Sequence, residues 1–241
     1  MKKILSSLFV IISVLTLYSC GSSGDVESVV TLETSMGVIS VKLYNDTPLH
    51  KANFEKMVSE GVYDGMLFHR VIDNFMIQAG DPTSKGAAPD VMLGEDSFGE
   101  DVDNEISSNH FHKKGVLAAA REGNGVNPER KSSGSHFYIA RGRIFEQEEL
   151  MQFVVEVNEK RHKAFLESED PKATEVPLTL SAEQIEAYTT VGGIPHLDGE
   201  YTIFGEVVEG LEVLDKIIVV DTDDRDRPVE DVIIKKATII R

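Results

Sequence analysis

The stretch Phe68–Asp81 has the sequence FHRVIDNFMIQAGD, which places one arginine and one glutamine among apolar residues. Arg70 stands between apolar neighbours, and Phe75, Met76 and Gln78 follow on a run typical of a strand. A guanidinium is costly to bury in apolar surroundings unless its fixed donors are needed. The pattern therefore indicates a functional arginine beside an apolar surface. A structural arginine paired with one of the chain's many carboxylates is the alternative interpretation.

Short, mostly apolar runs along the chain predict strands, and the first two of these runs are rich in β-branched residues. The predicted strands are Val29–Thr34, Val38–Leu43, Leu67–Val71, Phe75–Ala79, Gly115–Ala120, His136–Ala140, Thr202–Val207 and Val232–Ile240. Thr47 and Pro48 predict the capped start of a helix that Gly61 ends, and Leu211–Val219 predicts a second short helix. Many short strands with two helices indicate a mainly β fold built as a closed antiparallel barrel.

The segment Arg143–Gly193 differs from the rest because its apolar residues recur at helical spacing and it holds eleven acidic against five basic residues. Ser181 and Gln184 form a capping-box pattern at the start of a further helix. The apolar stripe is too small to build a core alone. We therefore expect a helical insertion, residues 143–193, packed on the barrel.

The N-terminus has the pattern of an export signal. Two lysines precede the apolar run Ile4–Leu17, which is too short for a comfortable permanent membrane span. Leu17–Cys20 resembles a bacterial lipobox. We expect a signal peptide over residues 1–19, lipidation of Cys20 and a tether over residues 20–28, which would anchor the protein in the cell envelope, facing the periplasm. Ordinary secretion is the alternative.

Composition excludes several other classes of protein. The 241 residues carry a net charge of -17, which would repel nucleic-acid phosphates, so no nucleic-acid partner is expected. Cys20 is the only cysteine, which leaves no disulfide or cysteine metal site in the folded part. His110 and His112 lack a nearby third candidate ligand, so we expect no metal site. The glycine-rich segment Arg121–Gly125 lacks the strand-loop-helix context of a phosphate loop.

Three further motifs follow Phe68–Asp81 in order along the chain. They are Gly115–Ala120, Ser135–Ile139, and His196–Gly199 followed by Phe204 and Gly205. With these four motifs the sequence resembles the cyclophilins, which are peptidyl-prolyl cis-trans isomerases. The resemblance covers nearly all of Val29–Arg241 outside Glu122–Ser133 and the insertion.

The resemblance implies an eight-stranded antiparallel closed barrel capped by two helices, so that residues 29–241 form one isomerase domain with the helical insertion. It implies isomerisation of X-Pro bonds, a reaction that needs no metal or cofactor. Together with the export signal, it leads us to expect an isomerase that assists the folding of exported polypeptides, and we expect a monomer. It assigns catalysis to Arg70 and Gln78. It assigns substrate binding to Phe75, Met76, Ala120, Arg121, Phe137, Tyr138, His196, Leu197 and Tyr201. A non-catalytic chaperone or adaptor that binds clients through the acidic insertion is the alternative.

Overall fold

Eight antiparallel strands form one curled sheet in the computed structural model, which describes residues 28–168 and 174–240. The strands are β1 Val29–Thr34, β2 Val38–Leu43, β3 Arg70–Ile72, β4 Met76–Ala79, β5 Val116–Ala119, β6 Phe137–Ala140, β7 Ile203–Glu209 and β8 Ile234–Ile240. Their order across the sheet is β3-β4-β6-β5-β7-β2-β1-β8. All eight predicted strands are present, and β1 and β2 have the predicted bounds.

The prediction of a closed barrel is wrong, because the two edge strands do not pair along their lengths. Within the described residues, β3 and β8 share no ladder, and one isolated antiparallel bridge joins Leu67 to Ile233 just before each strand begins. The backbone N–H of Phe68 donates to the carbonyl of Val232 at 2.8 Å beside this bridge. β3 spans only three residues, which is too short to continue the pairing. The sheet is therefore an open, curled half-barrel.

Four α-helices accompany the sheet: α1 Pro48–Ser59, α2 Gln147–Leu166, α3 Ala182–Thr190 and α4 Leu211–Ile217. Helices α1 and α4 are the two predicted from the sequence, and α2 and α3 lie in the predicted insertion. The capping box of Ser181 and Gln184 is confirmed at the start of α3. The Thr47 cap is wrong: Glu105, from a distant loop, instead accepts from the N–H groups of Leu49 and His50 at 3.0 and 2.9 Å.

The main core covers one face of the sheet, and α1 and α4 pack against this face. Five aromatic rings form its centre, with centroids 5.1 to 6.4 Å apart. They are Phe54, Tyr63, Phe68, Phe137 and Phe204. Such rings bury large apolar areas and dominate core energetics.

A second apolar cluster lies on the opposite face of the sheet. Because side chains alternate between faces along a strand, Ile77 and Ile139 point into the main core while Met76 and Tyr138 belong to this outer cluster. Ile194 and Ile203 also belong to it. The sheet thus supplies one face to the core and the other to a surface that can bind a ligand.

The insertion meets the sheet where its two ends come together. Gly193 forms isolated antiparallel bridges with Lys113 and with Arg143. Two small apolar clusters, centred on Leu150 and Val154 of α2, join that helix to the rest of the insertion. In the described part of the chain, no helix is both long enough and apolar enough to span a bilayer.

We predict that Gly142→Ala destabilises this junction. Gly142 has φ of +55°, and an added Cβ would overlap the carbonyl oxygen of Gly193. Left-handed strain and the forced backbone shift should together lower the free energy of unfolding by about 2 kcal/mol or more. Urea denaturation measures the change.

Gly123→Ala is the matched control, because nothing lies within 4 Å of its added Cβ. Its free energy of unfolding should stay within about 0.5 kcal/mol of the parent value. Equal stability of the two variants would contradict the close approach of the insertion's two ends.

Candidate functional site

A cavity of about 150 Å³ opens on the outer face of the sheet, beside β3 to β6. It brings together all but two of the residues predicted for catalysis and substrate binding. Its lining consists of Arg70, Phe75, Met76, Gln78, Ala120, Arg121, Tyr138, Leu197 and Tyr201. We call this cavity the pocket.

The pairing of neighbouring strands brings the polar side chains of the pocket together. Arg70 on β3 lies opposite Gln78 on β4, and Gln78 lies opposite Tyr138 on β6. Directly opposed residues on one face of an antiparallel pair have neighbouring side chains. The arginine, the amide and the phenol therefore form a row across three strands.

Arg70 lies at the rim of the pocket with 42% of its side chain exposed, so the guanidinium is not buried among its apolar sequence neighbours. Its Nε donates to Asp226 Oδ2 at 3.4 Å, and its Nη1 donates to Gln78 Oε1 at 3.5 Å. Both distances are long for charge-assisted hydrogen bonds. Since a guanidinium carries five N–H donors, Arg70 keeps donor capacity for a ligand.

The rest of the pocket is an apolar wall. Met76 and Tyr138 are buried at its base, and Phe75, Leu197 and Tyr201 are partly buried around it. The rings of Tyr138 and Tyr201 meet edge to face with centroids 5.8 Å apart. Such a wall suits a small apolar ring placed next to the Arg70 donors.

The side chain of Arg121 supports the pocket from behind. Its guanidinium lies 4.7 Å from the centroid of the Tyr201 ring, and its Nε donates to the carbonyl of Glu200 at 2.9 Å. Only 5% of the side chain is exposed. These contacts hold Tyr201 in place. They also occupy the Arg121 guanidinium with contacts inside the protein.

Two residues predicted for substrate binding lie outside the pocket. Phe137 is 1% exposed and belongs to the main core, so its predicted contact with substrate is wrong. Strand alternation is the reason, because Phe137 and Tyr138 point to opposite faces of β6. His196 lies behind Phe75, with the two rings stacked 5.8 Å apart and 14° from parallel.

A buried polar network holds the base of the pocket. The Tyr138 hydroxyl lies 2.8 Å from His112 Nε2, and His112 Nδ1 lies 3.1 Å from Asp198 Oδ1. Burial raises the pKa of Tyr138, so its hydroxyl keeps its proton at neutral pH. With His112 Nδ1–H donating to the carboxylate, Nε2 accepts from the Tyr138 hydroxyl.

Asp198 is the shared acceptor of this network. Its Oδ1 also accepts from the backbone N–H of His112 at 2.8 Å. Its Oδ2 accepts from the Tyr188 hydroxyl at 2.6 Å and from Gln184 Nε2 at 2.9 Å. Because Tyr188 and Gln184 belong to α3, one carboxylate connects the insertion to the pocket.

Sequence reasoning missed the supporting residues His112, Asp198 and Asp226. One sequence signal could have indicated them. Tyr138 brings a hydroxyl to an apolar site, and a buried phenol needs a hydrogen-bond partner. His112 was weighed only as a metal ligand beside His110, which lies 2.9 Å from Asp46. Among the described residues, no three His, Cys, Asp or Glu side chains converge on a possible metal position.

A family of known proteins shares this sequence pattern. The sequence profile of the family described as cyclophilin type peptidyl-prolyl cis-trans isomerase/CLD matches residues 29–239. This chain belongs to that family. The predicted resemblance is confirmed, and peptidyl-prolyl cis-trans isomerisation is the activity that the family and its relatives support.

Bacterial relatives agree with this membership. A candidate peptidyl-prolyl cis-trans isomerase of Staphylococcus aureus is 32% identical over 211 residues, covering 87% of this chain and 90% of the relative. A candidate bifunctional phosphatase/peptidyl-prolyl cis-trans isomerase of Streptococcus pyogenes is 36% identical over 209 residues. That match covers 86% of this chain but only 37% of the relative.

The fold of the cyclophilins recurs in solved structures. A Cryptosporidium parvum cyclophilin type peptidyl-prolyl cis-trans isomerase matches with a TM-score of 0.59 at 24% identity, covering 89% of this chain and 98% of that one. The same isomerase in the presence of the dipeptide ala-pro matches with a TM-score of 0.58 at 23% identity, covering 88% and 99%. At these identities the likeness concerns the fold alone. The non-catalytic alternative is not favoured by the cyclophilin family match or by the names of the relatives.

We predict that Asp198→Asn destabilises the cyclophilin domain by about 2–4 kcal/mol, because the amide cannot accept from all the donors that face the carboxylate. Thermal and urea unfolding measure the loss. Asp101→Asn, at an exposed carboxylate, is the matched control and should change stability by less than about 0.5 kcal/mol. If Asp198→Asn were as stable as this control, the carboxylate would not be the anchor of the network.

Proposed function

We propose that the pocket is the active site of this isomerase, with Arg70 as the catalytic donor and Gln78 as the residue that positions it and the substrate. The observation that carries the proposal is the placement of Arg70 opposite Gln78 at the rim of an apolar pocket. The substrate is an X-Pro bond in a polypeptide. Its prolyl ring would sit against Phe75, Met76 and Leu197.

The chemistry of the reaction suits this arrangement. Rotation about an X-Pro bond meets a barrier of roughly 18–20 kcal/mol because amide resonance must be broken. In the twisted state the prolyl nitrogen regains its lone pair and can accept a hydrogen bond. A guanidinium that donates to this nitrogen, or to the neighbouring carbonyl, stabilises the twisted state more than either planar isomer. No bond is made or broken, so no nucleophile is required.

The half-exposed position of Arg70 supports this role. A guanidinium held only by long contacts to Asp226 and Gln78 can turn its donors toward a bound peptide. The apolar wall would hold the prolyl ring still while the preceding residue rotates. Each ~1.4 kcal/mol of preferential stabilisation of the twisted state increases the rate tenfold.

We predict that Arg70→Ala lowers kcat/KM by about 10²–10³-fold, as expected for loss of a key transition-state donor. A proline-peptide isomerisation assay measures the rate, and circular dichroism checks that the variant is folded. Arg143→Ala is the matched control, because Arg143 has a similar side-chain exposure of 39% and lies outside the pocket. It should retain the parent rate.

A folded Arg70→Ala variant with unchanged activity would remove Arg70 from the mechanism. Asp226→Ala separates the catalytic role from a purely structural one. If Arg70 served only to pair with Asp226, the two alanine variants would lose the same stability and the same activity. The catalytic role requires a much larger loss of activity for Arg70→Ala.

We also propose that the isomerase is a lipoprotein of the cell envelope that acts as a monomer on exported polypeptides, assisting their folding. The support comes from the sequence of the signal peptide over residues 1–19 and from Cys20 in the lipobox-like segment. These residues lie outside the part that the structure describes. The net charge of -17 supports the expectation of no nucleic-acid partner.

We predict that Cys20→Ser blocks lipid attachment and leaves an unprocessed precursor, because the thiol is the acceptor of the lipid. Metabolic labelling with a fatty acid, together with the size of the product on a gel, measures both effects. Ser22→Ala is the matched control and should be labelled and processed like the parent. Normal labelling of Cys20→Ser would contradict the lipoprotein proposal and favour ordinary secretion.

A further inference from the structure

A second cavity lies beside the pocket, on the side of the insertion. It measures about 340 Å³ and is lined by Phe153, Val157 and Lys160 of α2 and by His196. We call it the side cavity. Three of its four lining residues come from the insertion, so this cavity exists only because α2 packs next to the loop that carries His196.

The pocket and the side cavity share a wall. Phe75 lines the pocket, and its ring stacks on the His196 ring with centroids 5.8 Å apart. The ring of Phe153, which lines the side cavity, meets the His196 ring edge to face, with centroids 5.8 Å apart and 73° between the ring planes. Leu197, the next residue along the chain, lines the pocket. A polypeptide bound in the pocket would therefore pass the opening of the side cavity within a residue or two.

The two cavities are held at a fixed separation. Arg161 of α2 donates to the backbone carbonyls of His196 at 3.2 Å and Asp198 at 2.8 Å. Only 15% of the Arg161 side chain is exposed. Hydrogen bonds from this largely buried guanidinium fix α2 against the loop, so the side cavity is preformed.

The lining of the side cavity is apolar and aromatic. Phe153 and Val157 supply hydrocarbon surface, and Lys160 is exposed at the rim. Burial lowers the pKa of His196 to about 4, so its ring is neutral at pH 7. With Lys160 at its rim and uncharged walls of Phe153, Val157 and His196, a cavity of this volume suits one large apolar side chain, because the aromatic rings can stack on another ring.

We propose that the side cavity is a second subsite that receives a large apolar or aromatic side chain of a residue near the proline on the same polypeptide. The inference rests on the proposed function of the pocket. In an extended chain, consecutive residues advance by roughly 3.3 Å, so a residue one or two positions from the proline lies roughly 3–7 Å further along. This advance is comparable with the 5.8 Å between the centroids of the stacked Phe75 and His196 rings in the shared wall. The insertion thereby adds sequence preference to the isomerase.

The test compares kcat/KM of the full-length protein on a set of short proline peptides. The reference peptide has alanine at the two positions on each side of the proline, and each test peptide has phenylalanine at one of these four positions. Phenylalanine at one position on a single flank should increase kcat/KM about tenfold over the reference, as expected for burial of an aromatic side chain. The other positions should give smaller effects.

Variants of α2 assign the preference to the side cavity. Phe153→Ala should reduce the ratio of phenylalanine peptide to reference peptide from about ten to about one. Val155→Ala is the matched control on the same helix, because Val155 is 58% exposed and outside the cavity. It should keep the tenfold ratio. Lys160→Trp changes an exposed residue that lines the cavity, and it should fill the cavity and also abolish the preference.

The outcomes separate the two proposals. If the full-length protein isomerises the reference peptide but shows no flanking preference, the subsite is refuted and the proposed function stands. A preference that survives both Phe153→Ala and Lys160→Trp also refutes the subsite. If no peptide is isomerised faster than in the absence of protein, the proposed function fails and the subsite fails with it.

Discussion

The buried carboxylate of Asp198 is the constraint on which the arrangement of the site depends. It accepts hydrogen bonds from both the backbone and the ring of His112, and from Tyr188 and Gln184 of α3. Through His112 it also fixes the Tyr138 hydroxyl at the base of the pocket. A buried charge is tolerated only when its hydrogen bonds are satisfied, so these groups must keep their relative positions. The insertion is thereby coupled to the isomerase pocket through a polar contact.

Different structural elements supply the polar donors and the apolar wall of the pocket. Strands β3 and β4 present Arg70 and Gln78 as polar groups at the rim, while the loop that carries Leu197 and the outer face of the sheet supply the apolar wall. Because the guanidinium remains half-exposed, no strong structural ion pair consumes its donors. Rotation about an X-Pro bond breaks no covalent bond. It therefore needs mainly a wall that holds the prolyl ring and a hydrogen-bond donor placed for the twisted state.

Local sequence signals predicted most of the fold and much of the site. Short, mostly apolar runs predicted all eight strands, and Ser181 with Gln184 predicted the start of α3, because these patterns depend on near neighbours. Contacts between distant segments were not predictable in the same way. Glu105 replaced Thr47 as the cap of α1, and the short β3 left the half-barrel open. Strand alternation alone predicts that Phe137 and Tyr138 face opposite sides of β6, so only one of them can line the pocket. The assignment from the family resemblance placed both residues in the substrate site.

The central claim is that the pocket accelerates rotation of an X-Pro bond that it binds. Exchange NMR on a proline peptide with substoichiometric full-length protein tests it most directly, because uncatalysed exchange takes roughly tens to hundreds of seconds. We expect cis–trans cross-peaks on a sub-second timescale, together with shift changes at residues that line the pocket. Binding to these residues with exchange no faster than in free peptide would contradict the account.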